Sequence, residues 1–315
     1  MVVETGIVIK STGSWYLVRK PNGDTVECRI RGKFRTKGLR TTNPVAVGDN
    51  VDFIIDDKTG QGLIQSIGER RNYIIRKSIN LSKEAHILGA NIDQAVLVVT
   101  LVSPRTYTQF IDRFLVSAEA YNIPSVLIFN KIDLYDEKLT AEMEDLVSIY
   151  SKIGYRCIKS SVKNGIGNAE IEEVTRGKLS LLAGHSGVGK STIVNMLNPD
   201  LNLRTMEISD SHDSGVHTTT YPEMHPLLNG GYVIDSPGIK GFGTIELGKA
   251  EMSHYFPEMF AESENCQFYN CTHTHEPKCA VKQAVENGAI AQSRYNSYLS
   301  LLNDESEDKY RQEPD

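Results

Sequence analysis

The pattern of apolar and polar residues divides the chain into three parts. Residues 1–68 contain β-rich runs such as "SWYLVRK" and "NVDFIIDD", separated by the turn sequences "PNGD" and "DDKTG". Runs of this kind between turn residues predict short strands, and no helical period interrupts them. We therefore predict an OB-type β-barrel, with an SH3-like module or another small barrel as the alternative.

The second part, residues 69–244, alternates between strand and helix patterns. "AVLVVTLVS" and "SVLIF" are continuous apolar runs, as expected for strands buried on both faces, and "YTQFIDRFLVSAEAYN" between them has helical spacing. This alternation predicts a parallel sheet covered on both faces. Residues 245–315 are more helical and contain three of the five cysteines, which suggests a metal site in a third domain.

Composition is that of a soluble protein, with 40% hydrophobic and 23% charged residues in 315. No stretch approaches the roughly 20 apolar residues of a membrane span, and the start, "MVVETGIVIK", lacks the pattern of a signal peptide. We expect a cytoplasmic, monomeric protein that does not associate with membranes.

The net charge of -6 weighs against a nucleic-acid partner, but the charges are segregated. "RIRGKFRTKGLR" contains six basic residues, one aromatic ring and no acid. A local basic face with an aromatic side chain can bind RNA even on an acidic protein, and a solvated surface loop is the alternative. The predicted RNA contacts are Arg29, Arg31, Lys33, Phe34, Arg35, Lys37 and Arg40.

The segment "GHSGVGKST" matches the phosphate-loop pattern, follows an apolar strand and opens a helix. Its glycines let backbone N–H groups surround phosphate oxygens, and the helix N-terminus adds partial positive charge. Lys190 is expected to bridge the β- and γ-phosphates, and Ser191 to ligate Mg²⁺. The predicted contacts are Gly184, His185, Ser186, Gly187, Val188, Gly189, Lys190, Ser191 and Thr192.

Two later segments supply the rest of a magnesium site. In "VIDSPG", Asp235 ends a strand and is expected to hold Mg²⁺, while the Gly238 N–H meets the γ-phosphate. "SGVHTTTYPEM" is typical of a switch loop, in which Thr219 is favoured over Thr218 and Thr220 as a magnesium ligand.

The segment "FNKID" indicates that the base is guanine. The Asp133 carboxylate can accept hydrogen bonds from the guanine N1–H and amino group, a pattern that adenine lacks. Asn130 can bond the base and connect loops, and the Lys131 stem can lie against the ring. Ser160 and Ser161, after the next strand, can offer backbone N–H groups to guanine O6. An ATP-using enzyme is the alternative.

The guanine loop precedes the phosphate loop, although an ordinary GTPase has the reverse order. This order indicates a circular permutation, which is tolerated when the original chain ends lie close together. With "NIDQ", "NKID", "GHSGVGKST", "GVHTTT", "DSPG" and "THEPKCAVK", the whole chain resembles the bacterial circularly permuted GTPases of the RsgA (YjeQ) family.

The resemblance implies an OB-like domain, a permuted P-loop GTPase domain and a mainly α zinc-binding domain, with boundaries predicted at 1–68, 69–244 and 245–315. It also implies GTP-driven late maturation of the small ribosomal subunit, contact with its rRNA, and turnover stimulated by that subunit. An RNA-binding module that uses GTP as a structural ligand is the alternative.

The spacing Cys266-x4-Cys271-x-His273-x5-Cys279 offers three thiolates and one imidazole, a closed tetrahedral set typical of structural zinc. His275 competes for the imidazole position, and the family pattern favours His273. Buried cysteines without a metal are the alternative.

The position of the water-orienting glutamine of Ras-like enzymes holds Ile239, so slow intrinsic hydrolysis is expected. His217, beside the threonines, is the candidate that positions water, supported by the resemblance; a structural or RNA-contacting histidine is the alternative. His217, Lys190 and Thr219 are the predicted catalytic residues.

Overall fold

The structure is a computed structural model that describes residues 2–30, 44–77, 85–203, 223–235 and 251–303. The described chain forms an N-terminal barrel, a central α/β sheet and a C-terminal helical domain. These three parts confirm the predicted fold class.

Five strands form a closed N-terminal barrel. Their pairing runs β1–β2–β3–β5–β4 and returns from β4 to β1, and β3–β5 is the parallel pair. Alternate side chains fill the interior, where Val8, Phe53 and Ile64 are fully buried. The strands are β1 (Val3–Ser11), β2 (Tyr16–Arg19), β3 (Thr25–Ile30), β4 (Asn50–Ile55) and β5 (Gly62–Ile67).

An antiparallel pair of strands follows the barrel, β6 (Tyr73–Lys77) and β7 (Ala85–Ala90). The sequence patterns did not predict this pair. Arg70, just before it, forms two hydrogen bonds of 2.7 Å with the buried Asp49 carboxylate, which fixes the connection between barrel and pair.

The central domain is a sheet in the order β10-β9-β8-β11-β13-β12, parallel except for β12. Apolar clusters cover both faces, one around α1 and α2 and the other around α3 and α4. The bounds are β8 (Gln94–Val99), α1 (Thr108–Ala120), β9 (Ser125–Phe129), α2 (Glu137–Ile153), β10 (Arg156–Lys159), α3 (Asn168–Thr175), β11 (Leu179–Ala183), α4 (Lys190–Leu197), β12 (Glu223–Pro226) and β13 (Tyr232–Asp235).

Strand β1 of the barrel pairs with the edge of the central sheet. Lys10 of β1 pairs with Glu223 of β12, and the Lys10 ammonium lies 2.8 Å from the Glu223 carboxylate. Because β12 directly follows the predicted switch segment, the barrel is hydrogen-bonded to a strand next to the nucleotide site.

The C-terminal domain contains α5 (Pro257–Ser263), α6 (Ala280–Glu286) and α7 (Gln292–Asn303). Its apolar core includes Val116 of α1, so this domain packs directly on the central one. Across the described residues, every helix is too short or too polar to cross a bilayer.

Candidate functional site

The phosphate loop connects the central strand β11 to α4. Gly184 to Gly189 form this turn, and Lys190 is the first residue of the helix. The Lys190 ammonium donates hydrogen bonds to the carbonyl oxygens of Gly184 and His185, at 2.8 and 2.7 Å. These bonds hold the cation inside the loop, and α4 begins without a side-chain cap. Its N-terminal N–H groups are therefore suited to phosphate.

Two glycines of this loop have no room for a side chain. Gly184 and Gly189 have φ values of 138° and 103°, in the left-handed region that favours glycine. A Cβ atom at Gly184 would lie 2.6 Å from the Val98 carbonyl oxygen, and one at Gly189 would lie 2.4 Å from Asn130 Nδ2. The second contact shows how closely the guanine loop approaches the phosphate loop.

Asn130 joins these two loops. Its side chain is buried at the end of β9, and its Nδ2 donates a hydrogen bond of 2.9 Å to the Val188 carbonyl oxygen. The two residues are 58 positions apart, so the sheet places loops from distant parts of the chain at one edge. This agrees with the prediction that Asn130 connects loops.

Asp133 is oriented by the serine loop that follows β10. Ser161 Oγ donates to Asp133 Oδ1 at 2.5 Å, and the Ile132 N–H donates to the Ser160 carbonyl oxygen at 3.2 Å. The Asp133 side chain is exposed, so its carboxylate remains accessible to a ligand. The sequence-predicted base-reading residues are thus brought together.

Buried polar atoms in the same place lack a protein partner. Within the part of the chain that the structure describes, Asn130 Oδ1 and Ser160 Oγ are buried and form no hydrogen bond. Buried polar groups are normally satisfied. Four other buried side-chain oxygens of the described residues also lack a partner, but Asn130 and Ser160 are the two that follow the ends of the neighbouring strands β9 and β10.

The strand that carries Asp235 lies beside the phosphate-loop strand. Asp235 pairs with Leu182, two residues before Gly184, so the backbone places it next to the loop. A carboxylate there and the Ser191 hydroxyl are oxygen donors of the kind that Mg²⁺ prefers. The Asp235 side chain, Gly238, Ile239, His217 and the threonines Thr218 to Thr220 lie outside the described residues.

On the barrel, Arg29 is the one predicted RNA contact within the described residues. The other six lie outside them: Arg31, Lys33, Phe34, Arg35, Lys37 and Arg40. The Arg29 guanidinium is exposed and lies over the Trp15 ring, with Cζ 3.5 Å from the ring centroid. Stacked Arg and Trp side chains on a barrel present both charge and an aromatic surface.

Cys266, Cys271, His273 and Cys279 form a cluster whose ligand atoms lie within 4.8 Å of one another. His273 Nδ1 is 3.7 Å from Cys266 Sγ and 3.4 Å from Cys279 Sγ. Tetrahedral zinc with ordinary bond lengths places such S and N atoms about 3.6 Å apart. The cluster could hold a metal ion, and its size and donors fit zinc.

A shell of hydrogen bonds supports the cluster. Tyr295 Oη donates to the His273 carbonyl oxygen at 2.7 Å, and the Glu276 carboxylate accepts the N–H groups of Thr272 and Thr274. His275 Nδ1 instead lies 2.9 Å from Thr274 Oγ1, outside the set of four. Burial lowers the pKa of His273, which favours the neutral imidazole that binds metals.

Comparisons with known proteins now decide the family. Residues 67–245 match the model of the RsgA GTPase family, and residues 5–64 match that of the RsgA N-terminal domain. The chain belongs to the RsgA GTPase family. A GTPase activity follows from this membership, so the family relationship favours GTP over the ATP-using alternative.

Curated relatives of the family match nearly end to end. A protein of Phocaeicola vulgatus named "Small ribosomal subunit biogenesis GTPase RsgA" is 55% identical over 306 residues, covering 97% of this chain and 98% of its own. A protein of the same name from Porphyromonas gingivalis is 54% identical over 312 residues, covering 98% of this chain and 99% of its own.

Solved structures share the RsgA fold. The crystal structure of YjeQ from Thermotoga maritima is 38% identical, with a TM-score of 0.78 over 96% of this chain and 98% of that one. YloQ, described as a circularly permuted GTPase, is 30% identical, with a TM-score of 0.73 over 100% of this chain and 98% of that one. The permuted order of the loops is thus also a feature of a solved relative.

Sequence reasoning missed residues that contact the RsgA nucleotide loops from outside the motifs. The Phe110 ring of α1 lies 4.1 Å from the His185 ring, centroid to centroid. Tyr135 bonds the backbone of the guanine loop. Phe110 belongs to the helical period of "YTQFIDRFLVSAEAYN", which predicts packing and not contact with a loop. Tyr135 belongs to no motif, and its position two residues after "NKID" is the one available signal.

Proposed function

We propose that this protein is a GTPase that binds the small ribosomal subunit and assists its late maturation. It hydrolyses GTP to GDP and phosphate, and the subunit stimulates turnover. The observation that carries the proposal is the 2.9 Å bond from Asn130 to Val188, which joins a guanine loop and a phosphate loop into one site. The names of the curated relatives support the ribosomal partner.

Base recognition is assigned to the guanine and serine loops. Asp133 reads N1–H and the amino group of guanine, and Asn130 and the Lys131 stem contact the base. The expectation that Ser160 and Ser161 offer N–H groups to O6 does not fit the structure, because these N–H groups donate to the carbonyl oxygens of Phe129 and Ile166, at 2.7 and 3.1 Å. The unpartnered Asn130 Oδ1 and Ser160 Oγ support the assignment of these loops, since a bound base would supply partners for them.

Phosphate recognition is assigned to Gly184 through Thr192, together with the Gly238 N–H. Ser191, Thr219 and Asp235 would hold Mg²⁺, which would neutralise charge that develops on the transferred phosphoryl group. Lys190 stabilises the same charge. His217 positions the attacking water, because Ile239 offers no polar atom for that task.

The outer domains provide ribosome contacts in this proposal. Arg29, stacked on Trp15, begins the basic segment of the barrel, and rRNA is its expected ligand. One zinc ion in the Cys266–Cys279 cluster has a structural role, since four protein ligands leave no open position for chemistry. The protein acts as a cytoplasmic monomer.

Both outer domains attach to elements that lie near the nucleotide. The barrel pairs with β12, which follows the switch segment, and the C-terminal domain packs on α1, which contacts the phosphate loop through Phe110. A change in the nucleotide loops can therefore reach both ribosome-binding domains through packed secondary structure.

The deciding experiment titrates GTP turnover with purified small and large ribosomal subunits in parallel. We expect stimulation by the small subunit alone, and its loss in Lys190→Ala. Turnover that neither subunit changes would instead favour an RNA-binding module with GTP as a structural ligand. His217→Ala should reduce stimulated turnover while GTP affinity stays the same; unchanged stimulation would remove His217 from the mechanism.

A further inference from the structure

The Tyr135 hydroxyl lies between the guanine loop and the loop that follows β8. The Leu101 N–H donates a hydrogen bond of 2.8 Å to Tyr135 Oη, and Oη donates one of 3.0 Å to the Asn130 carbonyl oxygen. Burial raises the pKa of Tyr135, which keeps the phenol neutral and able to use both its lone pair and its proton. One side chain therefore connects the backbones of two loops.

The loop after β8, residues 100–107, holds the guanine loop at a second point. Lys131 Nζ donates a hydrogen bond of 2.5 Å to the Ser103 carbonyl oxygen. Lys131 and Ser103 have φ values of 61° and 48°, in the left-handed region that residues other than glycine rarely adopt. Two uncommon backbone conformations meet in this bond, which indicates that the surrounding contacts maintain both.

The same loop reaches the phosphate loop. Pro104 Cδ lies 3.6 Å from the position that a Cβ atom at Gly187 would take, and Thr100 Oγ1 donates a hydrogen bond to the Pro104 carbonyl oxygen at 2.5 Å. Residues 100–107 therefore bond the guanine loop and lie beside Gly187 of the phosphate loop, so they can fix the separation of the two loops.

We propose that Tyr135 is a positioning residue that sets the selectivity of the site for guanine over related purines, by holding the guanine loop against residues 100–107. The proposal rests on the assignment of Asp133 as the base-reading residue. The Asp133 side chain is exposed and bonded to Ser161 alone among the described side chains, so its direction depends on that bond and on the backbone from Asn130 onward.

Guanine and hypoxanthine test this role, because hypoxanthine retains N1–H and O6 but lacks the amino group. A well-placed Asp133 carboxylate bonds both N1–H and the amino group of guanine. When the loop shifts, GDP loses strength at both of these bonds and inosine diphosphate at one, while the phosphate contacts remain. Tyr135→Phe keeps the ring and removes the hydroxyl that bonds Leu101 and Asn130.

The experiment measures dissociation constants of GDP and inosine diphosphate by calorimetry for the full-length protein and Tyr135→Phe. We expect the affinity for GDP to fall about tenfold and the affinity for inosine diphosphate to fall less. The ratio of the GDP affinity to the inosine diphosphate affinity should therefore shrink at least threefold, which is the size expected for one weakened bond to a charged group. The control is Tyr155→Phe, because the Tyr155 hydroxyl lies in the same domain and donates a hydrogen bond of 3.0 Å to Glu119. It should leave both constants and the ratio unchanged.

An unchanged ratio in Tyr135→Phe, whether both affinities fall equally or neither falls, would overturn the proposal, because a general loss of structure does not discriminate between bases. Matched melting temperatures of the two tyrosine variants exclude unequal folding. Asp133→Asn tests the underlying assignment separately, since it should favour xanthosine diphosphate. If it does not, the assignment of Asp133 fails; if it does and the ratio is unchanged, the role of Tyr135 fails.

Discussion

The guanidinium of Arg294 lies 2.8 Å from the Asp112 carboxylate, at the contact between the C-terminal domain and the GTPase domain. Both side chains are buried, at 1% and 0% exposure. Arg294 also forms hydrogen bonds of 2.7 and 3.1 Å with Glu258, and Tyr150 Oη donates to Asp112. One cation thus compensates two carboxylates from different domains.

Removing this cation should be costly. Arg294→Met leaves the buried Asp112 and the partly buried Glu258 without their partner, so we expect a loss of about 3–5 kcal/mol in the free energy of unfolding. Asp112→Asn keeps an acceptor for Tyr150 and leaves the Arg294–Glu258 pair intact, so it should cost about 1 kcal/mol. Urea unfolding of both variants measures the difference. Equal losses of unfolding free energy in the two variants would contradict the view that the shared guanidinium stabilises this contact.

The cost of Arg294→Met should depend on pH. Burial raises the pKa of Asp112, so the folded protein binds this proton more tightly than the unfolded chain, and the group favours folding at low pH. Removal of the guanidinium raises that pKa further. The melting-temperature gap between Arg294→Met and the wild type should therefore be wider at ~pH 8 than at ~pH 5.5. A melting-temperature gap that narrows as the pH rises would contradict the view that Arg294 stabilises the ionised form of Asp112.

Local patterns predicted the loops well, because their chemistry depends on residues that are close in sequence. The phosphate loop needs glycines at fixed places, and Gly184 and Gly189 have the left-handed φ values that this requires. The same holds for the four cluster residues between Cys266 and Cys279, which the chain brings together within 14 positions.

Contacts between residues that are distant in the chain could not be predicted from the sequence. Arg294 and Asp112 are 182 positions apart, and no periodicity links them. The pairing of Lys10 with Glu223 joins two domains through a single register position. The role of Tyr135 depends on how Leu101 and Asn130 approach in the folded sheet. Each of these depends on tertiary geometry that a local pattern does not encode.

Gly189→Ala should separate the two nucleotide loops. The new Cβ would lie 2.4 Å from Asn130 Nδ2, so the bond from Asn130 to Val188 must break or shift. We expect GDP affinity to fall at least tenfold, as measured by calorimetry, because base and phosphate contacts no longer fit one ligand. Gly154→Ala is the matched control. Gly154 has a φ of 112°, close to the 103° of Gly189, with open space around its Cβ, so it tests backbone strain alone. A similar loss of affinity in both would attribute the effect to strain and not to the loop contact.

The cluster in the C-terminal domain should bind one zinc ion per chain. Elemental analysis of the purified protein measures the stoichiometry, and Cys271→Ser or His273→Ala should reduce it sharply. A chelator should lower the melting temperature, since structural zinc contributes to folding. His275→Ala should keep the metal, because His275 bonds Thr274 and lies outside the set of four. Loss of zinc in that variant, with zinc retained in His273→Ala, would reverse the assignment.

Trp15 provides a direct test of RNA binding at the barrel. It is the single tryptophan in the sequence, and the Arg29 guanidinium lies 3.5 Å from its ring centroid. RNA that binds the adjoining basic segment should move this cation or stack on the ring, and so change the fluorescence. We expect a saturable change on titration with small-subunit rRNA, with an apparent affinity that falls steeply as salt rises, because phosphate contacts release counterions.

Arg29→Ala should alter the starting fluorescence of Trp15 and weaken RNA binding severalfold, because it removes both a phosphate contact and a stacking group. Arg156→Ala is the control, since Arg156 is exposed on β10, the edge strand of the central sheet opposite to β12, which pairs with the barrel. It should leave the titration unchanged. RNA binding without any change at Trp15, and with equal affinity in Arg29→Ala, would place the RNA contact elsewhere on the molecule.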